Sequence, residues 1–395
     1  MRIAFIGQKG IPGIGGGVER YVEDLAVRLA KLGQEILVYT RPYYTPKQLK
    51  EFSGVKLISL PSLKTKHLDA ISHTILACLD VIFRQVDVVH FQSIGPALLC
   101  WLPKLLNPKI KIISTLQSRD YEHRKWGALA RWSLRLGEKL MCYFSDEVLA
   151  VTQPMKNYVR IKYGREAIYL PNGANLSEPT GNHLIKQWGL EAGNYIVYIG
   201  RLVRHKGVGH LIDAYNLLET DQKLVIVGAG AFTDDYVKML KAKAQNNPNI
   251  IFTGNQTGQT LAQLYDNAYV FVQPSESEGL SLALLEAMAR RRAVLVSNIR
   301  ENLEAIGSTG FSFEDRNIYD LANKLKALLA NPQLVAVKGL EARERVAQHF
   351  NWEIIAKNLL MIYTKTARQP QRWLFNPAFT ERNKPAFAEQ LRRGK

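Results

Sequence analysis

Cysteine is scarce in this chain: Cys78, Cys100 and Cys142 are the only three among 395 residues. They stand far apart, with no CxxC pair and no even set, which excludes a disulfide framework and a zinc ribbon and suits a reducing cytoplasm. No run of about 18 uncharged apolar residues occurs, so no membrane span is predicted. The apolar stretch Ile3-Ala4-Phe5-Ile6-Gly7 behind Met1-Arg2 is too short for a signal-peptide core. Acidic residues are in deficit, 35 against 52 Lys and Arg, for a net charge of +17. The partners that charge suits are anions: nucleic acid, an anionic membrane face or phosphorylated small molecules. No internal repeat of 20 to 50 residues is visible.

What is present is a globular composition, 47% hydrophobic and 22% charged, which excludes disordered, collagen-like and coiled-coil chains. The length is too great for one ordinary core and fits two domains of about 150–200 residues. Residues 2–7 read as a buried strand, 8–17 as a Gly-rich loop, 18–32 as a helix and 35–40 as the next strand. The helix rests on Val18, Val22, Leu25, Leu29 and Leu32 sharing one face, with Gly33 closing it. Apolar runs at 86–91, 111–115 and 147–151 extend this βαβ unit into a doubly wound parallel sheet. A second series of strands follows at 195–200, 223–228, 250–254, 269–273 and 293–297. The turn-rich Leu170-Pro171-Asn172-Gly173-Ala174-Asn175 between the two series reads as a hinge.

Three segments carry anion or sugar chemistry. Gly10-Ile11-Pro12-Gly13-Ile14-Gly15-Gly16-Gly17 lies between a strand and a helix, where glycines let backbone N–H groups approach a phosphate and the helix dipole assists. It fits neither the dinucleotide fingerprint nor a Walker sequence, and a tight turn alone is the other reading. Gly200-Arg201-Leu202-Val203-Arg204-His205-Lys206-Gly207 follows the first strand of the second series, the end at which open α/β sheets bind ligands. There Arg201 could grip phosphate oxygens and Lys206 add a point charge, or the stretch is a basic surface loop. In Pro274-Ser275-Glu276-Ser277-Glu278-Gly279-Leu280-Ser281, Glu278 precedes a helix that carries Glu286 about two turns along. Backbone N–H groups of Gly279 to Ser281 between the two carboxylates could hold an anion. The alternative makes Glu278 a helix-dipole acid and Glu286 a solvated helix residue.

Together these residues resemble the glycosyltransferase family 4 (group 1) enzymes, close to the rhamnosyltransferase-like bacterial polysaccharide enzymes. The likeness runs through the Gly-rich loop, Asp87-Val88-Val89-His90, Pro171-Asn172-Gly173, Gly200-Arg201 to Lys206-Gly207, Glu278 to Glu286 and Phe350-Asn351-Trp352. It implies the GT-B fold, an α/β architecture of two Rossmann-like doubly wound domains facing across a cleft. The expected divisions are an acceptor-side domain at 1–170, a nucleotide-sugar domain at 171–350, a helix crossing back at 351–367 and a basic tail at 368–395.

The resemblance further implies a retaining, metal-independent transfer from a nucleotide-diphosphate sugar to a saccharide or lipid-linked acceptor, in cell-surface polysaccharide or glycolipid synthesis. No cofactor and, on this reading, no nucleic-acid partner are expected; the alternatives are a catalytically silent nucleotide-sugar or glycan-binding protein of the same fold and a basic nucleic-acid-binding protein. In this scheme Gly16 and Gly17 approach the donor phosphates, and Arg201 and Lys206 neutralise the diphosphate. Glu278 faces the donor sugar, Gly279, Leu280 and Ser281 touch phosphate or sugar, and Glu286 binds the ribose. Retention proceeds on one face through an oxocarbenium-like state, so no enzymic nucleophile is named.

One loop departs from the family. Relatives carry a histidine after the 111–115 strand, where this chain has Gln117, while Asp120, Lys125 and Trp126 keep their places on the acceptor side. His90, at a strand end, is either a hydrogen-bonded core residue or an acceptor contact. His123, His205 and His210 have no metal-ligand spacing, so no metal site is expected. Arg119, Arg124, Lys125, Arg131, Arg135 and Lys139, interleaved with Trp126 and Trp132, form either a solvated basic helix or a face for anionic lipid. The second reading places the protein at the inner face of the plasma membrane.

Overall fold

A computed structural model describes residues 1–14, 16–65, 68–122, 127–230 and 233–370. The chain forms two units: Met1–Leu170 with the residues from Ala356 on, and Pro171–Ile355.

The first unit is built on β1 (Arg2–Ile6), β2 (Glu35–Thr40), β3 (Glu51–Phe52), β4 (Val55–Ser59), β5 (Val88–Gln92), β6 (Lys111–Leu116), β7 (Glu147–Ala150) and β8 (Ile168–Tyr169). Their order in the sheet is β3-β4-β2-β1-β5-β6-β7-β8, all parallel except the β3–β4 pair. The helices are α1 (Gly17–Lys31), α2 (Asp69–Val81), α3 (Trp101–Leu106), α4 (Ala128–Phe144) and α5 (Gln153–Tyr163). Of the α1 face read from spacing, Val22, Leu25 and Leu29 are fully buried together with Tyr21 and Ala26, while Val18 is half-buried and Leu32, just past the helix end, is 37% exposed; each large buried side chain contributes roughly 1.5–3 kcal/mol. The β3–β4 hairpin, absent from the sequence reading, is short and lies at the sheet edge, where few residues mark a pattern. α2 covers its side of the sheet with Ala77, Cys78 and Val81, which join Cys100 before α3 and β-strand residues Val89, Phe91 and Ile112 in one core.

The second unit has β9 (Tyr195–Ile199), β10 (Lys223–Val227), β11 (Ile250–Gly254), β12 (Val270–Gln273), β13 (Ala293–Ser297) and β14 (Phe311–Phe313). Their order is β11-β10-β9-β12-β13-β14, and every pairing is parallel. α6 (Val208–Tyr215), α7 (Asp234–Ala244), α8 (Gly258–Asp266), α9 (Leu282–Ala289), α10 (Arg300–Ile306), α11 (Ile318–Leu329) and α12 (Pro332–His349) surround it. The chain leaves β9 towards β10 and returns to β12 on its other flank, so strand order reverses between β9 and β12. In open α/β sheets the loops leaving such a reversal diverge and open a crevice at the strands' C-terminal ends.

Helix α13 (Trp352–Arg368) begins in the second unit and ends in the first. Trp352 is 2% exposed and sits so close to Gly173 that a Cβ there would meet its ring at 2.7 Å. The expected basic tail lies beyond residue 370, outside the described residues, apart from its first positions. No described helix is long and apolar enough to cross a membrane.

Candidate functional site

The loops leaving β9 and β12 meet. Lys206 Nζ donates to Glu278 Oε1 at 2.5 Å, with the two side chains 17% and 9% exposed. The two loops are also tied through the backbone, Glu276 N–H donating to the His205 carbonyl at 2.8 Å. Gly207 makes that approach possible: its φ is +68°, and a Cβ would lie 1.8 Å from the Pro274 carbonyl oxygen, so only glycine fits. Arg201 is exposed at the start of the same loop. Its carbonyl accepts from the Tyr198 hydroxyl at 3.0 Å. Burial, with the Glu278 charge adding, pushes the Tyr198 phenol well up, so it remains a donor.

The start of α9 is fixed from below. Ser281 is the N-cap, its hydroxyl accepting from Leu284 N–H at 3.3 Å and donating to Gln273 Oε1 at 2.7 Å. Gln273 is held in turn by Asn302 at 2.9 Å. Asn172, 5% exposed, donates through Nδ2 to the Leu280 carbonyl at 2.6 Å. That bond pins the peptide of Leu280 and Ser281, and with it the direction of the N–H groups at the helix start. Gly279 is half-buried and Leu280 buried, and Glu286 stands half-buried inside α9. The structure therefore brings Arg201, Lys206, Glu278, Gly279, Leu280 and Ser281 together at one strand-order reversal. Two cations, a carboxylate and a helix N-terminus in one corner can grip a multiply charged phosphate while a carboxylate accepts hydroxyl protons.

Two contributors were not singled out from sequence. Asn172 was read as part of a hinge and of the Pro171-Asn172-Gly173 motif, with no role at the site. Glu276 pairs with Arg316 at 2.9 Å and holds the loop from its other side. Arg316 sits at a positive φ of 64°, which no sequence pattern announces.

In the first unit the Gly-rich loop carries its own anion. Gly16 is the N-cap of α1 with φ 109°. The Glu19 carboxylate folds back beneath it, accepting from Lys9 N–H at 3.1 Å, and a Cβ at Gly16 would lie 2.1 Å from Glu19 Oε2. Glu23 accepts from Gly13 N–H at 2.6 Å. Gly17 is the first residue of α1 and exposed.

Of its two alternatives, His90 has the setting of a hydrogen-bonded core residue. It is fully buried, Nδ1 is bonded to the Tyr363 hydroxyl and Nε2 to the Thr115 hydroxyl, each at 2.6 Å. Both ring nitrogens are thereby used, and burial lowers its pKa to about 3, leaving it neutral. Gln117, 8% exposed, donates to Gln92 Oε1 at 3.2 Å across the ends of β6 and β5. Asp120 accepts from the Ser118 hydroxyl at 2.7 Å. Lys125, with His123, Arg124 and Trp126, lies outside the described residues.

Residues 15–178 match the family described as Glycosyltransferase Family 4, and residues 182–348 match Glycosyl transferases group 1. An alpha-maltose-1-phosphate synthase of Mycobacterium tuberculosis is 34% identical over 182 residues, 43% of this chain and 47% of the synthase, so the match spans about half of that relative. A glycogen synthase of the same species is 26% identical over 94% of this chain and 97% of its own length. Among solved structures, HepE of Anabaena in complex with UDP-glucose superposes with a TM-score of 0.77 at 18% identity, covering 92% of this chain and all of HepE. With both matches in sequence order and two parallel Rossmann-like sheets of the GT-B type, the chain belongs to the family 4, group 1 glycosyltransferases.

Proposed function

We propose that the protein is a retaining glycosyltransferase that moves a sugar from a nucleotide-diphosphate donor to a saccharide or lipid-linked acceptor in the building of a cell-surface polysaccharide or glycolipid. The observation that carries this reading is the Lys206–Glu278 pair at 2.5 Å beside Arg201 and the start of α9. In the proposed reaction Arg201 and Lys206 neutralise the diphosphate as it leaves, with no metal required, and the N–H groups at Gly279 to Ser281 hold its oxygens. Glu278 accepts hydroxyls of the donor sugar and Glu286 those of the ribose. The acceptor attacks from the face the diphosphate leaves, so the anomeric configuration is kept. HepE, of the same fold, was solved with UDP-glucose, which makes a uridine donor the first to try. The proposed location is the cytoplasm, with acceptors at the inner membrane face.

The test is calorimetry and thermal shift against UDP, GDP, dTDP, ADP and their common sugars, followed by transfer assays in which NMR reads the anomeric configuration. One nucleotide should bind the native protein and bind weakly to Arg201→Ala/Lys206→Ala and to Glu286→Ala. Failure to bind any nucleotide sinks the reading, and an inverted product sinks retention. The buried neutral Gln117 in place of a histidine favours a second reading, a nucleotide-sugar binder without turnover. Tight donor binding with no transfer or hydrolysis would select it.

A further inference from the structure

The outer surface of α2 is inverted in polarity. Surface helices normally turn polar residues outward, yet the exposed residues of α2 are Ile75, Leu76 and Leu79, 40%, 37% and 43% exposed. Phe83, one turn on, is 82% exposed. The acid nearest to them, Asp80, is turned onto the Tyr39 hydroxyl at 2.7 Å and onto Arg84, so it adds no free negative charge.

The apolar surface continues onto neighbouring elements. Cys78 of α2 donates to the Leu99 carbonyl just before α3 at 3.8 Å, and α3 ends in the exposed Leu105 and Leu106. Cys100 donates to the Leu140 carbonyl at 3.6 Å, which places α4 on the same side of the sheet. The exposed stripe of α4 runs Leu129, Trp132, Arg135, Lys139 and Tyr143 at intervals of three or four residues. Lys139 lies 5.8 Å from the Tyr143 ring. Bare aliphatic side chains beside a stripe of Trp, Tyr, Arg and Lys have the composition of a surface that sits at a lipid–water boundary, apolar groups entering the acyl region and cations meeting headgroups.

We infer that the outer faces of α2, α3 and α4 together form a docking surface for an anionic lipid bilayer. The occupant is chosen by charge complementarity: cations on α4 flank the apolar patch, and the whole chain carries +17. The inference enlarges the basic-helix reading of residues 119–139 by adding an apolar centre from helices that carry no basic pattern. It also deepens the lipid-linked acceptor of the proposed function and rests on that reading for its purpose. Vesicle binding is read without turnover, so a failure of one leaves the other standing.

The test is co-sedimentation of the full chain with vesicles of phosphatidylcholine plus phosphatidylglycerol and with vesicles of phosphatidylcholine alone. Native protein should bind the anionic vesicles and lose most of that binding in high salt. Leu79→Ser/Phe83→Ser should lower the partition coefficient about tenfold or more, and Arg135→Glu/Lys139→Glu should do the same on anionic vesicles only. All these side chains are exposed, so melting temperatures should stay close to native, and circular dichroism checks that they do. Equal binding by native protein and the serine variant overturns the inference, as does absence of native binding to anionic vesicles. A dimer in analytical ultracentrifugation that the serine variant dissolves would assign the face to a second copy of the chain and also overturn it.

Discussion

Lys206 and Glu278, 72 residues apart in sequence, are joined by a 2.5 Å ion pair across the loops that leave two adjacent parallel strands. Each side chain is mostly withdrawn from water, so each is the other's main compensation. Removing one partner leaves the other partly desolvated and alone, a larger penalty than the net worth of the pair. Lys206→Ala and Glu278→Gln should each cost about 1–2 kcal/mol in urea unfolding, and the double variant clearly less than their sum. Loss of Lys206 should also slow turnover about 100-fold or more, because the cation meets charge that develops as the diphosphate leaves. A strictly additive double variant would show that the pair is not energetically coupled.

Glu19 places a buried negative charge at the N-terminus of α1, the end where the helix dipole favours anions. It therefore competes with any phosphate brought to Gly16 and Gly17. Glu19→Gln keeps the shape and the bond from Lys9 N–H while removing the charge. Nucleoside diphosphate binding measured by calorimetry should tighten about three- to tenfold, with a stability loss of about 1 kcal/mol. Unchanged affinity would mean that the donor's phosphates do not approach this loop.

His90 and His73 make acid stability predictable. Both are fully buried, and burial lowers His90 to about 3 and His73 to about 4. In the unfolded chain both titrate near 6.5. Between those values the unfolded state binds more protons than the native state, so stability is fully present above about pH 6.5 and is lost as pH falls. The slope should be about 1.4 kcal/mol per pH unit for each histidine, flattening for His73 near pH 4 and for His90 near pH 3. Denaturant unfolding of native protein and of His90→Phe between pH 4 and 6 should show a shallower slope in the variant. Parallel slopes would contradict a neutral His90.

Much of this was legible in the sequence because the signals were periodic or punctuated. The face of α1 came from a 3.6-residue spacing, the parallel strands from short fully buried runs, and the two loops at the β9–β12 reversal from residues whose charges have little reason to sit at strand ends. What stayed hidden depends on tertiary context. His90 has the same type and strand-end setting whether it faces a ligand or the core, and Tyr363, which decides the matter, is 273 residues away. Asn172 looked like a turn residue because its partner is a carbonyl 108 residues on. The inverted surface of α2 was invisible for another reason: apolar residues all round a helix read as burial until the fold shows which of them nothing covers.

Position 117 itself offers no group that titrates near neutrality, since Gln117 and its partner Gln92 are both amides. A histidine there would titrate near 6.5, shifted by whatever burial it meets. The profile of kcat/KM against pH for native protein should therefore lack an inflection from this position, whereas Gln117→His should add one between about pH 5 and 7. The direction follows from its neighbour. The Gln92 amide oxygen can accept from the imidazole in either protonation state, so burial alone biases the ring, towards neutral and thus below 6.5. Identical profiles for the two proteins would place residue 117 away from the reacting atoms, and the departure from the family at this loop would then carry no consequence for the chemistry.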